Sequence, residues 1–383
     1  MSEFTILPPL ALYIHLPWCV KKCPYCDFNS HTFDSGLPEE QYLNALIEDL
    51  QNQLPDIWGR RIVSVFIGGG TPSLFSGESI HKLISTLRSH LNCLPNMEIT
   101  MEANPGTVEQ SKFNEFYSAG VNRLSIGVQS FDDAKLQSLG RIHSAAEAHR
   151  AMDVALKAGF ENINLDLMFG LPGQTVEQGL DDLSQAIALS PEHISWYQLT
   201  IEPNTAFYSH PPVTPDDEDV WRVQEKGQII LEQAGFQQYE VSAYAQKGSQ
   251  CAHNLNYWRF GDYLALGAGA HGKLSRADTG EIRRYWQLRQ PKAYMLAHAH
   301  KKTSDWQVLQ SDQIIFEFML NALRLKHGFE LADFKMATGL KESVLTDRCV
   351  QAIEDGLLLR QGERYLPSDK GYLFLNDLIN RFS

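Results

Sequence analysis

The chain has 383 residues, with 33 lysines and arginines against 46 aspartates and glutamates, which gives a formal net charge of −13. Apolar residues make up 43% and charged residues 21%, and this balance predicts a chain that is folded throughout. The acidic excess disfavours broad attraction to nucleic acid or anionic lipid, because both need a basic face. With no basic leader before Leu12 and no apolar run of about 18 residues, we expect a cytoplasmic protein without a nucleic-acid partner.

The first two thirds of the chain repeats one unit. An apolar, β-branched run is followed by a polar or glycine-rich turn and an amphipathic helical pattern, which predicts right-handed βαβ units and a parallel sheet. Gly120, Gly159 and Gly235 stand where helices should end. The predicted strands are Ala11–Leu16, Ile62–Ile67, Glu98–Glu102, Arg123–Val128, Asn162–Met168 and His193–Leu199, and the predicted helices are Glu39–Leu54, Ser79–Leu91, Glu109–Ala119, Ala145–Ala158, Val176–Leu189 and Asp217–Ala234.

Six such units are compatible with an open doubly wound sheet or with a barrel. A doubly wound sheet concentrates its ligand residues at one switch point, whereas almost every predicted strand here ends in a candidate functional group. That distribution favours a barrel mouth. Six units instead of the eight of a full barrel predict an α/β fold with a partial (β/α)6 barrel and a wide opening, formed by residues 1–236.

The pattern changes after residue 236. Residues 237–305 contain short strand-like runs at Tyr239–Tyr244 and Tyr263–Gly272, and we interpret them as an extension that covers one barrel edge. Residues 306–383 are predicted to form a smaller helical, winged-helix-like domain with a last helix at Gly371–Phe382. Acidic residues outnumber basic ones there, so a packing or lid domain is favoured over a DNA-binding one. Its other predicted elements are Gln313–Leu323, Leu331–Thr338, Glu342–Asp355, Leu357–Arg360 and Arg364–Pro367.

Three of the six cysteines, Cys19, Cys23 and Cys26, fall in one short segment after the first predicted strand. Their CxxxCxxC spacing lets three thiolates hold three corners of an iron–sulfur cube, and the fourth iron keeps no protein ligand. A vacant metal position invites an external chelating ligand. The alternative is a zinc site completed by His15 or His31, although zinc ligands usually come as two separated pairs.

Two motifs near these cysteines resemble those of a known superfamily. The cysteines follow Tyr13–Trp18, and the glycine-rich Gly68–Pro72 follows the second predicted strand. These segments are similar to those of the radical S-adenosylmethionine superfamily, and more narrowly to the group of oxygen-independent coproporphyrinogen III oxidase and the HemW-type haem chaperones. The resemblance covers nearly the whole chain. It implies a [4Fe–4S] cluster on the three cysteines, whose open iron binds the amine and carboxylate of S-adenosylmethionine.

The resemblance also implies contacts to S-adenosylmethionine from successive strand ends. A charged residue at the end of a buried parallel strand is costly to desolvate and needs a partner or a ligand, so a structural ion pair is the alternative at each position. Glycines let a ligand approach the backbone closely, and the loop lacks the Lys-Ser/Thr of a nucleotide-binding P-loop. The residues matched to this ligand are Tyr13, Gly69, Gly70, Thr71, Glu102, Gln129, Arg141 and Asp166.

The two branches of the resemblance differ at visible positions. The oxidase pattern continues to a fourth cysteine, where this chain has Phe28, and it places an extension ahead of the cluster. The segment Cys251–Trp258 instead matches the HNxxYW motif of the chaperone branch. Imidazole is a good axial ligand of haem iron, and aromatic rings can cover a porphyrin. We therefore expect haem contacts from His253, Asn254 and Tyr257, with a hydrogen-bonded structural histidine as the alternative.

The sequence thus predicts a haem chaperone that passes haem to haem-requiring acceptor proteins, including respiratory or membrane-associated ones. The cluster and S-adenosylmethionine would regulate this transfer or support radical chemistry. The alternative is an enzyme that cleaves S-adenosylmethionine and abstracts hydrogen from a porphyrinogen side chain, so the sequence alone leaves enzymatic activity open. A DNA-binding regulator is the least favoured interpretation, and both a monomer and a homodimer are compatible with the sequence.

Overall fold

A computed structural model of the protein describes residues 2–33, 36–107, 109–297 and 303–383. Within these ranges, twelve strands form one mixed sheet, and six neighbouring parallel strands form its centre. Each central strand overlaps a strand predicted from the sequence. The six strands are β1 (Leu10–Leu16), β2 (Arg61–Gly69), β3 (Asn92–Ala103), β4 (Arg123–Gln129), β5 (Ile163–Phe169) and β6 (His193–Gln198).

Helices connect the central strands and pack against the outer face of the sheet. They are α1 (Glu39–Gln53), α2 (Gly77–His90), α3 (Gln110–Ala119), α4 (Asp133–Ser138), α5 (Ala145–Ala158), α6 (Val176–Ala188), α7 (Ala206–Ser209) and α8 (Asp217–Gln233), with 3₁₀ turns at Leu54–Ile57, Pro72–Leu74 and Pro105–Thr107. Local sequence sets their ends. Ser144 and Thr175 begin α5 and α6 with capping boxes, while Gly120 and Gly159 end α3 and α5 with φ of +106° and +99°.

Side chains alternate between the two faces of the central strands. Leu12 and Ile14 of β1 are fully buried beneath the helices, whereas Ser125, Asn164 and Asp166 point polar groups to the inner face of β4 and β5. This inner face encloses a cavity lined by residues of β2 to β6. The sheet is therefore curved, which confirms the predicted partial barrel.

The sequence predicted that the segment after residue 236 covers one barrel edge. In the structure, its strands instead continue the sheet at both ends. Two of them follow β6, whereas β9 pairs in parallel with β1 and leads into an antiparallel meander. The periodicity missed several of these elements because they are short. The segment contains β7 (Gln237–Glu240), β8 (Ala243–Ala245), α9 (Ala252–Trp258), β9 (Asp262–Leu266), β10 (His271–Arg276), β11 (Glu281–Gln287), α10 (Pro291–Leu296) and β12 (Thr303–Val308).

The C-terminal part has its own apolar cluster, built around Phe318, Phe334 and Cys349, and a small sheet of order β13-β15-β14. Its elements are α11 (Ser311–Ala322), β13 (Phe329–Glu330), α12 (Leu331–Thr338), α13 (Glu342–Glu354), β14 (Leu358–Gln361), β15 (Arg364–Pro367), α14 (Asp369–Leu373) and α15 (Leu375–Ile379), with a 3₁₀ turn at Asn380–Phe382. Helices followed by a hairpin agree with the winged-helix-like prediction. The predicted last helix is interrupted at Phe374, which separates α14 from α15. None of the helices in the described ranges has the length and apolarity of a membrane span.

Candidate functional site

A cavity of about 520 Å³ lies inside the curved sheet, and it opens at the carboxyl ends of the central strands. Parallel strands bring their carboxyl ends to one edge, so residues far apart in sequence meet there. Eleven of the fourteen predicted site residues line this cavity: Cys19, Cys23, Cys26, Gly69, Gly70, Thr71, Glu102, Gln129, Arg141, Asp166 and Asn254. Tyr13, His253 and Tyr257 do not border it.

The loop after β1 carries the three cysteines, and each thiol has a polar neighbour at hydrogen-bonding distance. The contacts are Thr71 Oγ1 to Cys19 Sγ at 3.6 Å, Arg141 Nη1 to Cys23 Sγ at 3.9 Å, and Ser30 Oγ to Cys26 Sγ at 3.8 Å. Burial raises the pKa of the Cys19 and Cys26 thiols, and coordination by iron would remove their protons.

The donor set fits an iron–sulfur cluster better than a single ion. Among the described residues, no three His, Cys, Asp or Glu side chains converge closely enough to hold one metal ion. Three separate thiols around one cavity, each beside a hydrogen-bonding group, are what the sulfur ligands of a cluster need.

The histidines considered for a zinc site are engaged elsewhere. His15 Nε2 lies 2.8 Å from the carbonyl oxygen of Asn29, and its Nδ1 lies 2.9 Å from the hydroxyl of Tyr13. His31 Nε2 lies 3.2 Å from Asn29 Oδ1. Burial lowers the pKa of His15 to about 4, so its ring is neutral at neutral pH. Tyr13 therefore orients His15, and its ring contacts Phe66, which lines the cavity.

The glycine-rich loop after β2 packs directly against the cysteine loop. The amide of Gly70 donates to the Leu16 carbonyl at 2.8 Å, and the amide of Thr71 donates to the Trp18 carbonyl at 2.7 Å. A Cβ added at Gly70 would lie 2.5 Å from that Trp18 oxygen, and Gly69 has φ of +117°. The packing of the two loops therefore requires glycine at these positions, whether or not a ligand also approaches the backbone.

Two carboxylates, Glu102 and Asp166, face each other across the inner sheet. Glu102 accepts the Gly69 amide at 2.9 Å, and Asp166 accepts from Ser125 Oγ at 2.9 Å and from Asn164 Nδ2 at 2.8 Å. Burial and then the neighbouring Asp166 raise the pKa of Glu102 to about 7. Burial also raises the pKa of Asp166. A cationic ligand in the cavity would relieve both effects.

Gln129 and Arg141 stand at the end of β4 and in the loop beyond it. Gln129 has φ of +68°, a strained conformation for a residue other than glycine, and its Oε1 accepts from the Tyr197 hydroxyl at 2.9 Å. Arg141 Nη2 donates to the Gly127 carbonyl at 2.6 Å while Nη1 points to Cys23 Sγ. Arg141 thus connects the cysteine loop to the barrel.

The cavity extends deeper than the sequence predicted, and its lower wall includes Arg123, Tyr197 and Trp258. Arg123 is 2% exposed and lies 3.9 Å from Glu98, and neither its Nε nor the Trp258 Nε1 has a hydrogen-bond partner in the described ranges. The sequence signal for this part of the cavity was the presence of polar residues at alternate positions of β4 to β6. Short strands with period-two polarity do not by themselves separate a lumen from a solvent face.

The HNxxYW segment forms α9, which is fixed by Glu98. This carboxylate accepts the backbone amides of Ala252 and His253 at 3.0 and 3.1 Å. His253 is 3% exposed; its Nδ1 lies 3.3 Å from Ser64 Oγ, and its Nε2 has no partner in the described ranges. Burial lowers the pKa of His253 to about 3. Asn254 lines the cavity while Tyr257 stacks on Tyr263 with centroids 4.2 Å apart, so the three predicted haem contacts do not share one surface.

Two family profiles match the chain. That of the radical SAM superfamily matches residues 13–186, and that of the HemN C-terminal domain matches residues 309–374. Among similar curated proteins, the "heme chaperone HemW" of Haemophilus influenzae is 51% identical, and that of Escherichia coli is 49% identical, each over 98% of both chains. The protein of the same name from Bacillus subtilis is 34% identical over 97% of this chain and 98% of its own.

Among solved structures, coproporphyrinogen III oxidase (HemN) from Escherichia coli, described as a radical SAM enzyme, has the same fold. It matches with a TM-score of 0.82 and covers 98% of this chain and 90% of its own. Its sequence is 22% identical to this chain, so the likeness concerns the fold alone.

Proposed function

This chain belongs to the HemW family of the radical SAM superfamily, and from that membership we propose that it binds haem and passes it to haem-requiring proteins. The observation that carries the proposal is similarity over 98% of the chain to relatives named heme chaperone. The acceptor proteins would include respiratory or membrane-associated ones. In this proposal haem is the molecule that is transferred, whereas the cluster and S-adenosylmethionine are cofactors bound in the barrel.

We propose that Cys19, Cys23 and Cys26 hold a [4Fe–4S] cluster at the cavity mouth. Three observations support this: the thiols border one cavity, each has a polar neighbour, and the superfamily is named for the chemistry of such a cluster with S-adenosylmethionine. When bound, the cluster supplies an open iron and one-electron chemistry. The protein's own contribution is to position the sulfurs and to hold a hydrogen-bond donor against them.

S-adenosylmethionine is proposed to occupy the cavity beside the cluster. Its ammonium and sulfonium groups are positive, and the inner face offers the buried carboxylates of Glu102 and Asp166, which accept hydrogen bonds from neutral groups. The loop residues Gly69, Gly70 and Thr71 would contact its amino-acid part. The remaining proposed contacts are Gln129 and Arg141 at the cavity wall and Tyr13, which acts through Phe66.

The test uses the full-length protein after anaerobic reconstitution with iron and sulfide. We expect saturable, stoichiometric haem uptake followed by the Soret band, and movement of that band to an added apo-haem protein. We also expect S-adenosylmethionine to change the EPR spectrum of the reduced cluster. Absence of saturable haem uptake would contradict the chaperone function, and formation of protoporphyrinogen from coproporphyrinogen would favour the oxidase instead.

Other features of the sequence interpretation remain proposals. These are the domain boundaries, which divide the chain into residues 1–236, 237–305 and 306–383, together with a cytoplasmic location and the absence of a nucleic-acid partner. A monomer and a homodimer are distinguished by sedimentation of the reconstituted protein.

A further inference from the structure

A groove of about 600 Å³ lies between the face of the β10–β12 meander and helix α11, outside the barrel cavity. Its sheet side presents His271 and Trp286, which pair across β10 and β11 with their rings stacked 6.1 Å apart at 27°. Its helix side presents Phe316 and Leu320, and Leu320 is 40% exposed. The groove thus combines an accessible imidazole, an indole and an apolar wall.

The charges around this groove suit a neutral imidazole and an anionic ligand. Partial burial and then Arg289 and Arg284 lower the pKa of His271, so the ring is neutral at neutral pH and can coordinate a metal. Arg284 is paired with Glu317, with Nε to Oε2 at 2.9 Å. Arg289 is exposed just beyond β11, where its guanidinium can bind a carboxylate.

We propose that haem docks in this groove with His271 as an axial ligand of its iron. Haem is a flat apolar ring with a metal at its centre and carboxylates on one edge. The groove offers an imidazole and an apolar wall, and the neighbouring Arg289 offers a cation. Phe316 and Leu320 would cover the ring, Trp286 would hold the imidazole by stacking on it, and Arg289 beside the groove would face a propionate. This inference rests on the proposed haem-binding function and gives it a location.

The HNxxYW motif supports this groove from behind. Tyr257 stacks on Tyr263, and the Tyr263 hydroxyl accepts a hydrogen bond from Arg284, which lines the groove. His253 in turn packs on Tyr257, with ring centroids 5.3 Å apart. The motif is thus connected to the groove wall by two aromatic contacts and one hydrogen bond. His253 and Tyr257 are positioning residues in this scheme, and the iron ligand is His271.

The experiment titrates haem into the anaerobically reconstituted full-length protein and its variants. His271→Ala is expected to weaken haem binding at least about tenfold, equivalent to about 1.4 kcal/mol, and to shift the Soret band. Free imidazole should restore the band position in that variant, and His271→Met should bind haem with an altered ferric EPR spectrum. His81→Ala, an exposed histidine of α2, is the matched control and should behave as the unmodified protein.

The outcomes separate the two levels of the proposal. Haem binding by the unmodified protein that is lost in His271→Ala and rescued by imidazole supports the groove. Normal affinity and an unchanged spectrum in His271→Ala overturn it and leave the chaperone function intact. Ligand loss confined to His253→Ala, with iron content and circular dichroism preserved, also overturns it. No haem uptake by the unmodified protein defeats the proposed function itself.

Discussion

Two carboxylates in the core of the molecule have opposite surroundings. Asp262 of β9 is completely buried and lies 2.8 Å from Arg60 and 2.9 Å from Lys273, and it accepts the amide and hydroxyl of Ser275. Glu102 accepts one backbone amide, and burial and then the neighbouring Asp166 raise its pKa to about 7. The chain compensates the first charge by itself. The second charge is left for a ligand, and this difference separates a structural polar group from a binding group.

The contrast extends to the regions around these residues. The barrel cavity gathers polar groups from five strands around an open space, whereas the polar groups beside β9 are paired with one another. We therefore expect changes in the cavity to weaken ligand binding without loss of stability. Changes beside β9 should alter stability more than ligand content.

The largest expected effect is the loss of the cluster in Cys23→Ser. Because only three thiolates hold the cluster in this proposal, removal of one is expected to abolish nearly all bound iron and sulfide after anaerobic reconstitution. Iron and sulfide assays with EPR measure the effect. Cys93→Ser, a half-buried cysteine of β3, is the control and should retain the cluster. Equal retention in both variants would mean that the cavity thiols are not ligands.

Asp262→Ala should give the largest loss of stability. The change leaves Lys273 and Arg60 buried without their counter-charge, which costs about 3–5 kcal/mol of unfolding free energy. Urea denaturation of the metal-free protein measures it. Asp278→Ala removes an exposed partner of Arg276 and should change the same quantity far less, because solvent screens an exposed ion pair. A similar small effect in both variants would mean that the buried ion pairs of Asp262 do not stabilise the fold, and the contrast with Glu102 would be lost.

These cases show which features a sequence can predict. Glu102, at the end of its strand, and Asp166, within its strand, were predicted because a charged residue on a buried parallel strand needs a partner or a ligand, and because both matched the resembled family. The network of Asp262 was missed because Arg60 lies about 200 residues away, and no local pattern connects them. The haem contacts predicted from the HNxxYW motif stay a prediction. The burial of His253 was not predictable, because it depends on contacts between α9 and strands that are distant in the sequence.

Glu102→Gln should stabilise the metal-free protein while weakening S-adenosylmethionine binding. Below pH 4.5 the carboxyl is protonated in both the folded and the unfolded chain, so the substitution changes little. Between pH 4.5 and about 7 the unfolded chain ionises first, and folded Glu102 becomes increasingly unfavourable. The gain from Gln should therefore reach about 3 kcal/mol at pH 8.

Denaturation at pH 8 and pH 4 measures this gain, and calorimetric titration of the reconstituted protein measures the ligand. Loss of a charged hydrogen-bond partner should weaken S-adenosylmethionine binding about tenfold or more. Glu232→Gln on the exposed surface of α8 is the control and should change neither quantity. A Glu102→Gln protein that is less stable at pH 8 would show that the carboxylate is structural, like Asp262.

The smallest expected effect concerns the buried motif. Ser64→Ala removes the one hydrogen-bonding neighbour of His253 Nδ1 in the described ranges, and it should cost about 1–2 kcal/mol of unfolding free energy because a buried imidazole nitrogen loses its partner. Ser184→Ala, whose exposed hydroxyl donates to the Leu180 carbonyl, is the control for a serine hydroxyl and should cost less. Haem uptake should remain near that of the unmodified protein, since Ser64 lies inside the barrel and away from the groove at His271. If Ser64→Ala instead abolished haem uptake at nearly unchanged stability, His253 would be a haem-binding group whose orientation Ser64 sets. The region around α9 would then be a binding region, as the cavity is.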